Sequence, residues 1–562
     1  MSAPVSGRGR FFVREIPPLL LLMLIGGALR FYNLNWDWGL FYHPDELNVG
    51  MAVERIRFFS RLDPGFFAYN GFSIYLVRAL CDALAFFTSE TSWNRGLSEI
   101  ILVARHVSAA ASTLSIPAMF LLGRGVAGGG AGLLAAALTS FTVGFIQYAH
   151  FGVTESLLVL FLVLLAALSA RLFRRESLRT WLAMSVVFAL AVGTKTSALS
   201  FMVIPCTLFA VMVLRRGEDG QRLVLRALLF VLVAALVAAA VTPYSLINIE
   251  AFRNSMRYEG GVVSGALKVP YNLQFLGTAP YLFFLRSIPW HTGPLVLLLG
   301  IAGLFAWSAL MLAGREERAH LPFLVFGVAY FLYVGGWHTK FIRYMIPLYP
   351  VLILSTVWLL TKGLKRWKER APRLLPALCA AVLAVSLIWS AAFMKIYTSP
   401  STRTAASEWM FETIPQGSLV LTEHWDYGLP SPLPGRDRGV FRYDAMTNYD
   451  GDSPEKIEKM ARLLSEGDYL VLSSARLSGS IPKDPEQYPV TSKYYDKLFG
   501  GLLGYREAAR FASYPGLFGF EIEDHKAEET FSVYDHPVVR IFVNERRLSP
   551  EALRAVLAEA DK

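Results

Sequence analysis

The chain has 562 residues, of which 54% are hydrophobic and only 17% charged, and its mean hydropathy is +0.41. A soluble domain usually carries about 25% charged residues, so an ordinary soluble enzyme is excluded, and an aromatic content of 13% excludes a disordered scaffold. Three scattered cysteines (Cys81, Cys206, Cys379) exclude a disulfide framework and a cysteine-rich zinc module. The charge is uneven: residues 400–562 hold 19 basic and 26 acidic residues, a net of −7, and the remaining 35 basic and 18 acidic residues give the rest of the chain +17. A pI near 9.3 could suit nucleic acid. Here, however, the basic residues sit in short loops between apolar runs, the pattern that orients a membrane protein. The chain therefore reads as a multi-pass integral protein of the inner or plasma membrane with an acidic soluble part, and with no nucleic-acid partner.

A bilayer core takes about 20 apolar residues per helix. In chain order the expected spans are 17–34, 100–122, 131–150, 155–173, 180–195, 197–214, 224–243, 292–313, 321–337, 344–362 and 373–394. The first stretch runs into Arg30, Phe31 and Tyr32 without a small-residue cleavage site, and so reads as a retained span. Two pairs of spans follow from parity. The run 131–170 holds a single charge, Glu155, and is basic on both flanks (Arg124; then Arg171, Arg174, Arg175 and Arg179), so it crosses twice with a turn near His150 to Ser156. The run 181–214 holds only Lys195 and behaves alike. Eleven spans put the N-terminus in the cytoplasm and the C-terminal part outside. Outer loops are then 35–99, 150–155, 194–197, 244–291 and 336–343. The loop 35–99 is too long for a connector; segments 46–60 and 72–87 have helical apolar spacing and read as amphipathic helices at the interface. Residues 1–396 form the membrane domain and 397–562 a small α/β domain. In the latter, helices are expected at 403–413, 454–465 and 493–500, and strands at Ser418 to Thr422, Tyr469 to Ser473, Phe518 to Ile522, and Phe531 to Val533 continuing through Val538 to Val543.

Charges at membrane depth are expensive, so each is a functional candidate. On this topology an unusual set converges on the outer face. It comprises His43, Asp45 and Glu46 after the first span, Glu155, Lys195, and the run His338, Lys340, Arg343 and Tyr344. A carboxylate can deprotonate a hydroxyl, while Lys and Arg can hold a phosphate and stabilise its charge as it leaves. Such a site suits a phosphate tethered to a lipid. Each residue also has a plainer reading: Asp45 behind Pro44 could cap a helix, Glu155 could pair with His150 or a helix end, Lys195 could snorkel, and Lys340 and Arg343 could anchor at the interface. His43, Asp45, Glu46, His150 and Glu155 could gather a divalent metal, but no HExxH or CxxC spacing supports one, so no metal is expected. No Walker motif occurs, and no soluble cofactor is expected.

These residues resemble a known family. Leu29-Arg30-Phe31 closes the first span, His43-Pro44-Asp45-Glu46 follows, and Phe66-Phe67-Ala68-Tyr69-Asn70 lies between the amphipathic helices. Glu155 opens a span, and Gly193-Thr194-Lys195 and Arg343-Tyr344-Met345-Ile346-Pro347-Leu348-Tyr349-Pro350 come later. Over residues 10–395 the chain looks like a GT-C fold glycosyltransferase of the protein-mannosyltransferase and aminoarabinose-transferase type. The resemblance implies a sugar on a polyprenyl phosphate as donor and a hydroxyl acceptor on a protein, lipid or glycan. Transfer would occur with inversion at the outer face. By the same resemblance Asp45 matches the catalytic base, Glu46 orients acceptor or base, and Glu155 is the second acid. Lys195 and Arg343 hold the donor phosphate, with Tyr69 and Lys340 in support. The chain departs in having Glu rather than the commoner Asp at 155 and a C-terminal domain that matches no acceptor class. The segment Ser532-Val533-Tyr534-Asp535-His536-Pro537 also looks like one found in bacterial and archaeal relatives. The alternative readings are a transporter or flippase for a lipid-linked glycan, whose charges should lie near the midplane in paired repeats, and a non-catalytic membrane assembly subunit.

Overall fold

The computed structural model describes residues 7–216, 220–365 and 372–558. Most of the basic loop expected between Lys362 and Arg373, and the chain end 559–562, lie outside them. Every expected span has a helical counterpart. The first is Gly7–Phe31, and the turn and break positions inferred from parity are found: a helix runs from Gly129 to Phe141 and, after Thr142, from Val143 to Gln147; Glu155 opens Glu155–Arg174; and Lys195 separates Leu178–Thr194 from the 3-10 turn Thr196–Met202. Among the described residues, eight helical stretches could cross a membrane by length and composition. They include Gly71–Thr88, which the sequence pattern places at the interface, whereas the helices at 129–141, 178–194 and 318–334 are shorter.

The long loop 35–99, expected to be the first outer loop, folds as Pro44–Arg55, Gly71–Thr88 and Ser92–Arg95. Pro44 suits the first helical turn, where its missing N–H is not needed. The N-cap is His43 rather than Asp45: its Nδ1 accepts from the Asp45 N–H at 3.2 Å. Asn70 ties this loop to the break at Lys195. Its N–H donates to the Thr194 carbonyl at 3.1 Å, and its side-chain amide donates to the Val192 carbonyl at 2.6 Å and to Thr196 Oγ1 at 3.1 Å. Buried Arg30 closes the last turn of Gly129–Phe141 by donating to the carbonyls of Thr139 at 2.8 Å and Ser140 at 3.0 Å, which otherwise lack intrahelical partners.

Beyond the bundle, a five-stranded sheet has the order β2-β1-β3-β7-β4, with β1 Leu419–Glu423, β2 Arg442–Met446, β3 Tyr469–Leu472, β4 Tyr505–Phe511 and β7 Val539–Asn544; β5 Gly516–Leu517 and β6 Phe520–Glu521 form a separate hairpin. β1 runs parallel to β2 and β3, while β7 pairs antiparallel with β3 and β4. The expected helices appear as Thr402–Thr413, Pro454–Glu466 and Thr491–Phe499. Several expectations change: Phe518 to Ile522 is not one strand but the turn and second strand of the β5–β6 hairpin. Strands β2 and β4 are additional; both have largely part-exposed or exposed faces rather than apolar runs. Phe531 to Val533 is no strand, because Glu529–Phe531 is a 3-10 turn. A further helix, Pro550–Ala558, packs on Pro454–Glu466.

Segment 524–537 leaves the sheet domain and enters the bundle. Phe531, Val533 and Tyr534 belong to the bundle's own hydrophobic core. The Asp535 carboxylate accepts from Tyr397 Oη at 2.8 Å and from Gln147 Nε2 at 3.1 Å. Glu528 accepts from the Ile342 N–H at 2.9 Å. Fully buried His536 lies between Asp535 at 2.6 Å and Asp524 at 2.8 Å. Burial opposes a charge on this ring, but the two carboxylates outweigh it and push its pKa up to about 10. A group raised from its unfolded value of about 6.5 stabilises the fold fully below that pH and progressively less as pH climbs towards the folded value. Docking of segment 524–537 should therefore weaken between about pH 6.5 and pH 10. Thermal unfolding in detergent, read by proteolysis of the C-terminal domain, should show that slope in the wild type and lose it in His536→Gln.

Candidate active site

The second residue pair after the first span splits. Consecutive helical residues point about 100° apart, so Asp45 and Glu46 face different surroundings. Glu46 turns into the bundle and is fully buried. Its carboxylate accepts from Arg105 Nε at 2.8 Å and Nη2 at 2.7 Å, and from the Gly152 N–H at 2.5 Å. The same guanidinium holds Asp37 at 2.8 and 2.9 Å and the Leu34 carbonyl at 2.8 Å. Glu46 thus fixes the first outer loop to the helix Leu97–Ala127; it does not line the cavity described below, which corrects the role expected for it.

Asp45 turns the other way. Its Oδ2 lies 2.5 Å from Arg343 Nη1 and accepts from Tyr69 Oη at 3.0 Å. Burial opposes ionisation of Asp45, but the Arg343 charge and the hydrogen bonds from Arg343 and Tyr69 hold its carboxyl well below the usual carboxylate range. Lys195 Nζ donates to Glu155 Oε1 at 3.1 Å and lies 4.9 Å above the Tyr69 ring. Tyr69 therefore touches both ion pairs. Asp45, Tyr69, Glu155, Lys195, Arg343 and Tyr344 all line one cavity of about 1450 Å³. It lies at the end of the bundle that carries the sheet domain, which supplies Trp425, Arg476 and Tyr534 to its wall. Buried polar atoms without a hydrogen-bond partner include Arg343 Nε, Glu155 Oε2 and His43 Nε2. Its apolar flank includes Leu199 on Thr196–Met202 and Tyr333 on Leu321–Val334, both more than half exposed, so the cavity reaches the side of the bundle.

Three other candidates lie off the cavity. His43 sits behind Asp45, its ring stacked on Tyr534 at 3.8 Å. Lys340 is buried and donates to the His338 carbonyl at 2.8 Å, and burial lowers its pKa. Neither Lys340 nor His338 reaches the cavity, which corrects their expected place there: between them Thr339 donates its hydroxyl to the Val262 carbonyl at 2.6 Å, so this strip anchors an outer-loop helix. Among the described residues no group of three His, Cys, Asp or Glu side chains is arranged to hold a metal ion.

Sequence reasoning missed Arg105, Asp37, Glu259, Arg476 and Trp425. Arg105 carried a readable signal, a charge within an apolar span. Tyr534 lay in a segment singled out by resemblance without a role.

Residues 97–247 match the family model described as dolichyl-phosphate-mannose-protein mannosyltransferase. No curated protein sequence matches the chain. Among solved structures, the archaeal oligosaccharyltransferase AglB from Archaeoglobus fulgidus, in complex with an inhibitory peptide and a dolichol-phosphate, is similar at 15% identity and a TM-score of 0.53, over 85% of this chain and 72% of that one. ArnT from Cupriavidus metallidurans bound to undecaprenyl phosphate is similar at 15% identity and a TM-score of 0.48, over 99% of this chain and 100% of that one. The chain has the GT-C fold, as the sequence motifs indicated. The segment that the family model matches carries Glu155 and Lys195.

Removing one partner of a buried charge cluster strands the others. Arg105→Met should cost about 3–5 kcal/mol, seen as a large loss of thermal stability in detergent. Asp37→Asn and Glu46→Gln added to that variant should recover most of it.

Proposed function

We propose that the protein is an inverting glycosyltransferase, moving a sugar from a polyprenyl-phosphate donor to a hydroxyl acceptor at the extracytoplasmic face of the membrane. The N-terminus then lies in the cytoplasm and the sheet domain outside. The observation that carries this reading is a single cavity in which two ion pairs, Asp45–Arg343 and Glu155–Lys195, share Tyr69, while an apolar flank reaches the side of the bundle. A lipid tail can lie on that flank with its phosphate at the cations. The matched family model, named for a dolichyl-phosphate sugar, and the dolichol-phosphate in the AglB structure support a donor of this kind. A carrier that merely moves the lipid has no need of a carboxylate beside the phosphate cations.

The chemistry follows from charge exchange. Arg343 is paired with Asp45. A donor phosphate offers Arg343 a competing anion, with its free Nε–H as a further donor. As the guanidinium shifts its bonding to phosphate, Asp45 loses the partner that depresses its pKa and becomes a better base. It takes the acceptor hydroxyl's proton as that oxygen attacks the anomeric carbon. The bond from the anomeric carbon to the phosphate oxygen breaks on the opposite side, and the electron pair leaves with the phosphate, stabilised by Arg343 and Lys195. Glu155 holds Lys195 in place. Attack from the far side inverts the anomeric configuration.

Transfer of a labelled sugar from undecaprenyl phosphate to acceptors in a membrane extract tests the reading. Asp45→Asn should lower the rate by about 10²–10⁴-fold with folding intact; equal rates would reject Asp45 as the base. Arg343→Gln or Lys195→Ala should weaken donor binding by about tenfold or more.

The same pair sets a pH dependence. The kcat/KM profile reports the free enzyme and the kcat profile the complex. With Asp45 held low in the free enzyme, kcat/KM should stay flat as pH falls to about 4, the ordinary carboxylate value. The acid limb of kcat should lie at higher pH, and in Arg343→Gln the limb of kcat/KM should move up. Coincident limbs in the wild type would count against the exchange.

A further inference from the structure

The outer-loop helix Ile249–Ser264 lies over the cavity with Val262 as its only buried residue. It is held at its C-terminal end by Thr339, whose N–H donates to the Val263 carbonyl at 3.1 Å and whose hydroxyl holds the Val262 carbonyl. This helix presents Tyr258 and Glu259 to the cavity. Three carboxylates line that space. Asp45 has Arg343 and Glu155 has Lys195, whereas Glu259 makes no hydrogen bond or ion pair with any described residue. It nevertheless feels Lys195, Arg343 and Asp45 electrostatically, and burial pushes its carboxyl above the usual value. A carboxylate on a cavity wall with no protein donor has its acceptor oxygens open to the hydroxyls of a bound ligand.

The surroundings narrow the ligand. The phenols of Tyr258 and Tyr271 are hydrogen-bonded to each other at 3.1 Å, and Phe341 meets Tyr344 edge to face at 5.5 Å; all four rings line the cavity beside Glu259. A sugar ring has C–H faces that lie on aromatic rings and vicinal hydroxyls that donate to a carboxylate. A phosphate, by contrast, is repelled by one. In the proposed reaction the sugar lies between its leaving phosphate, at Lys195 and Arg343, and the incoming oxygen, at Asp45. Glu259 is within the electrostatic reach of all three.

Resting on the proposed function, we infer that Glu259, with Tyr258 and Tyr271, forms the subsite for the sugar ring of the lipid-linked donor, Glu259 accepting hydrogen bonds from its hydroxyls and thereby setting which sugar is taken. The subsite adds recognition of the ring to recognition of the phosphate, so the two separate experimentally.

The probes are undecaprenyl phosphate without a sugar and the same lipid carrying mannose, glucose or 4-amino-4-deoxyarabinose. Binding is measured to wild type, Glu259→Ala, Glu259→Gln and Arg343→Gln in detergent, with thermal unfolding as a check on folding. The wild type should bind at least one sugar-bearing lipid about tenfold more tightly than the bare lipid, a gain of the size of one charged hydrogen bond. Glu259→Ala should lose that increment without weakening the bare lipid, and Glu259→Gln should keep part of it. A Glu259→Ala protein that retains the increment, or that loses affinity equally for bare and sugar-bearing lipid, overturns the subsite. So does a wild type that prefers none of the sugars. Failure of the bare lipid to bind wild type, or undiminished binding to Arg343→Gln, instead strikes the proposed function.

Discussion

A low-dielectric helical bundle can take in a charge only with its counter-charge, and that constraint organises the molecule. The carboxylate–cation groups at the end of the bundle beneath the sheet domain include Arg105 with Asp37 and Glu46, Lys195 with Glu155, and Arg343 with Asp45. The first is sealed, its carboxylates fully buried. The other two open on a cavity. A sealed pair can only hold the fold, because nothing can reach it to exchange partners. An open pair is already the shape of a receptor for an anion, since a phosphate can replace the carboxylate on the cation and return that carboxylate to use. Structure and chemistry here draw on one device, and access separates them.

The cavity is assembled from distant parts of the chain. Asp45 and Tyr69 come from the first outer loop, Glu155 and Lys195 from helix ends, and Arg343 from the start of a late helix. Asn70 fastens the first loop to the Lys195 break, which sets Tyr69 under the Lys195 ammonium. From the sheet domain, Tyr534 stacks on the His43 ring that caps the Asp45 helix. Each contact is local, and together they hold the charged groups of the cavity in a fixed arrangement.

Much of this was legible in the sequence. Hydrophobic runs and the parity of basic loops located a helix for each expected span, because the bilayer enforces length and charge placement more strictly than a soluble core does. Glu155 and Lys195 were legible as lone charges in apolar runs, and Asp45, Tyr69 and Arg343 through the family resemblance; all five meet in the cavity. Glu46 was not separable from Asp45, since one step along a helix decides which faces inward and neither residue type reveals the helix's rotation. Lys340 and His338 carried the right chemistry for an interface site, but the backbone between them is spent on anchoring a helix. Strands β2 and β4 escaped notice because their faces lack an apolar alternation. Contacts such as His43 with Tyr534 span almost the whole chain and have no local signal at all.

The insertion of segment 524–537 into the bundle also has a bearing on biosynthesis. Helices are laid into the membrane in the order in which the ribosome makes them, so the bundle is built while the residues that finish the wall of its cavity are still untranslated. Tyr534 and Asp535 follow the bundle's helices in the chain. Until they dock, Gln147, Tyr397 and the His43 ring lack the contacts that bury them, and a chain that stops short would insert and persist as a membrane protein without a finished chamber. Completion of the cavity thereby follows insertion of the bundle's last helix.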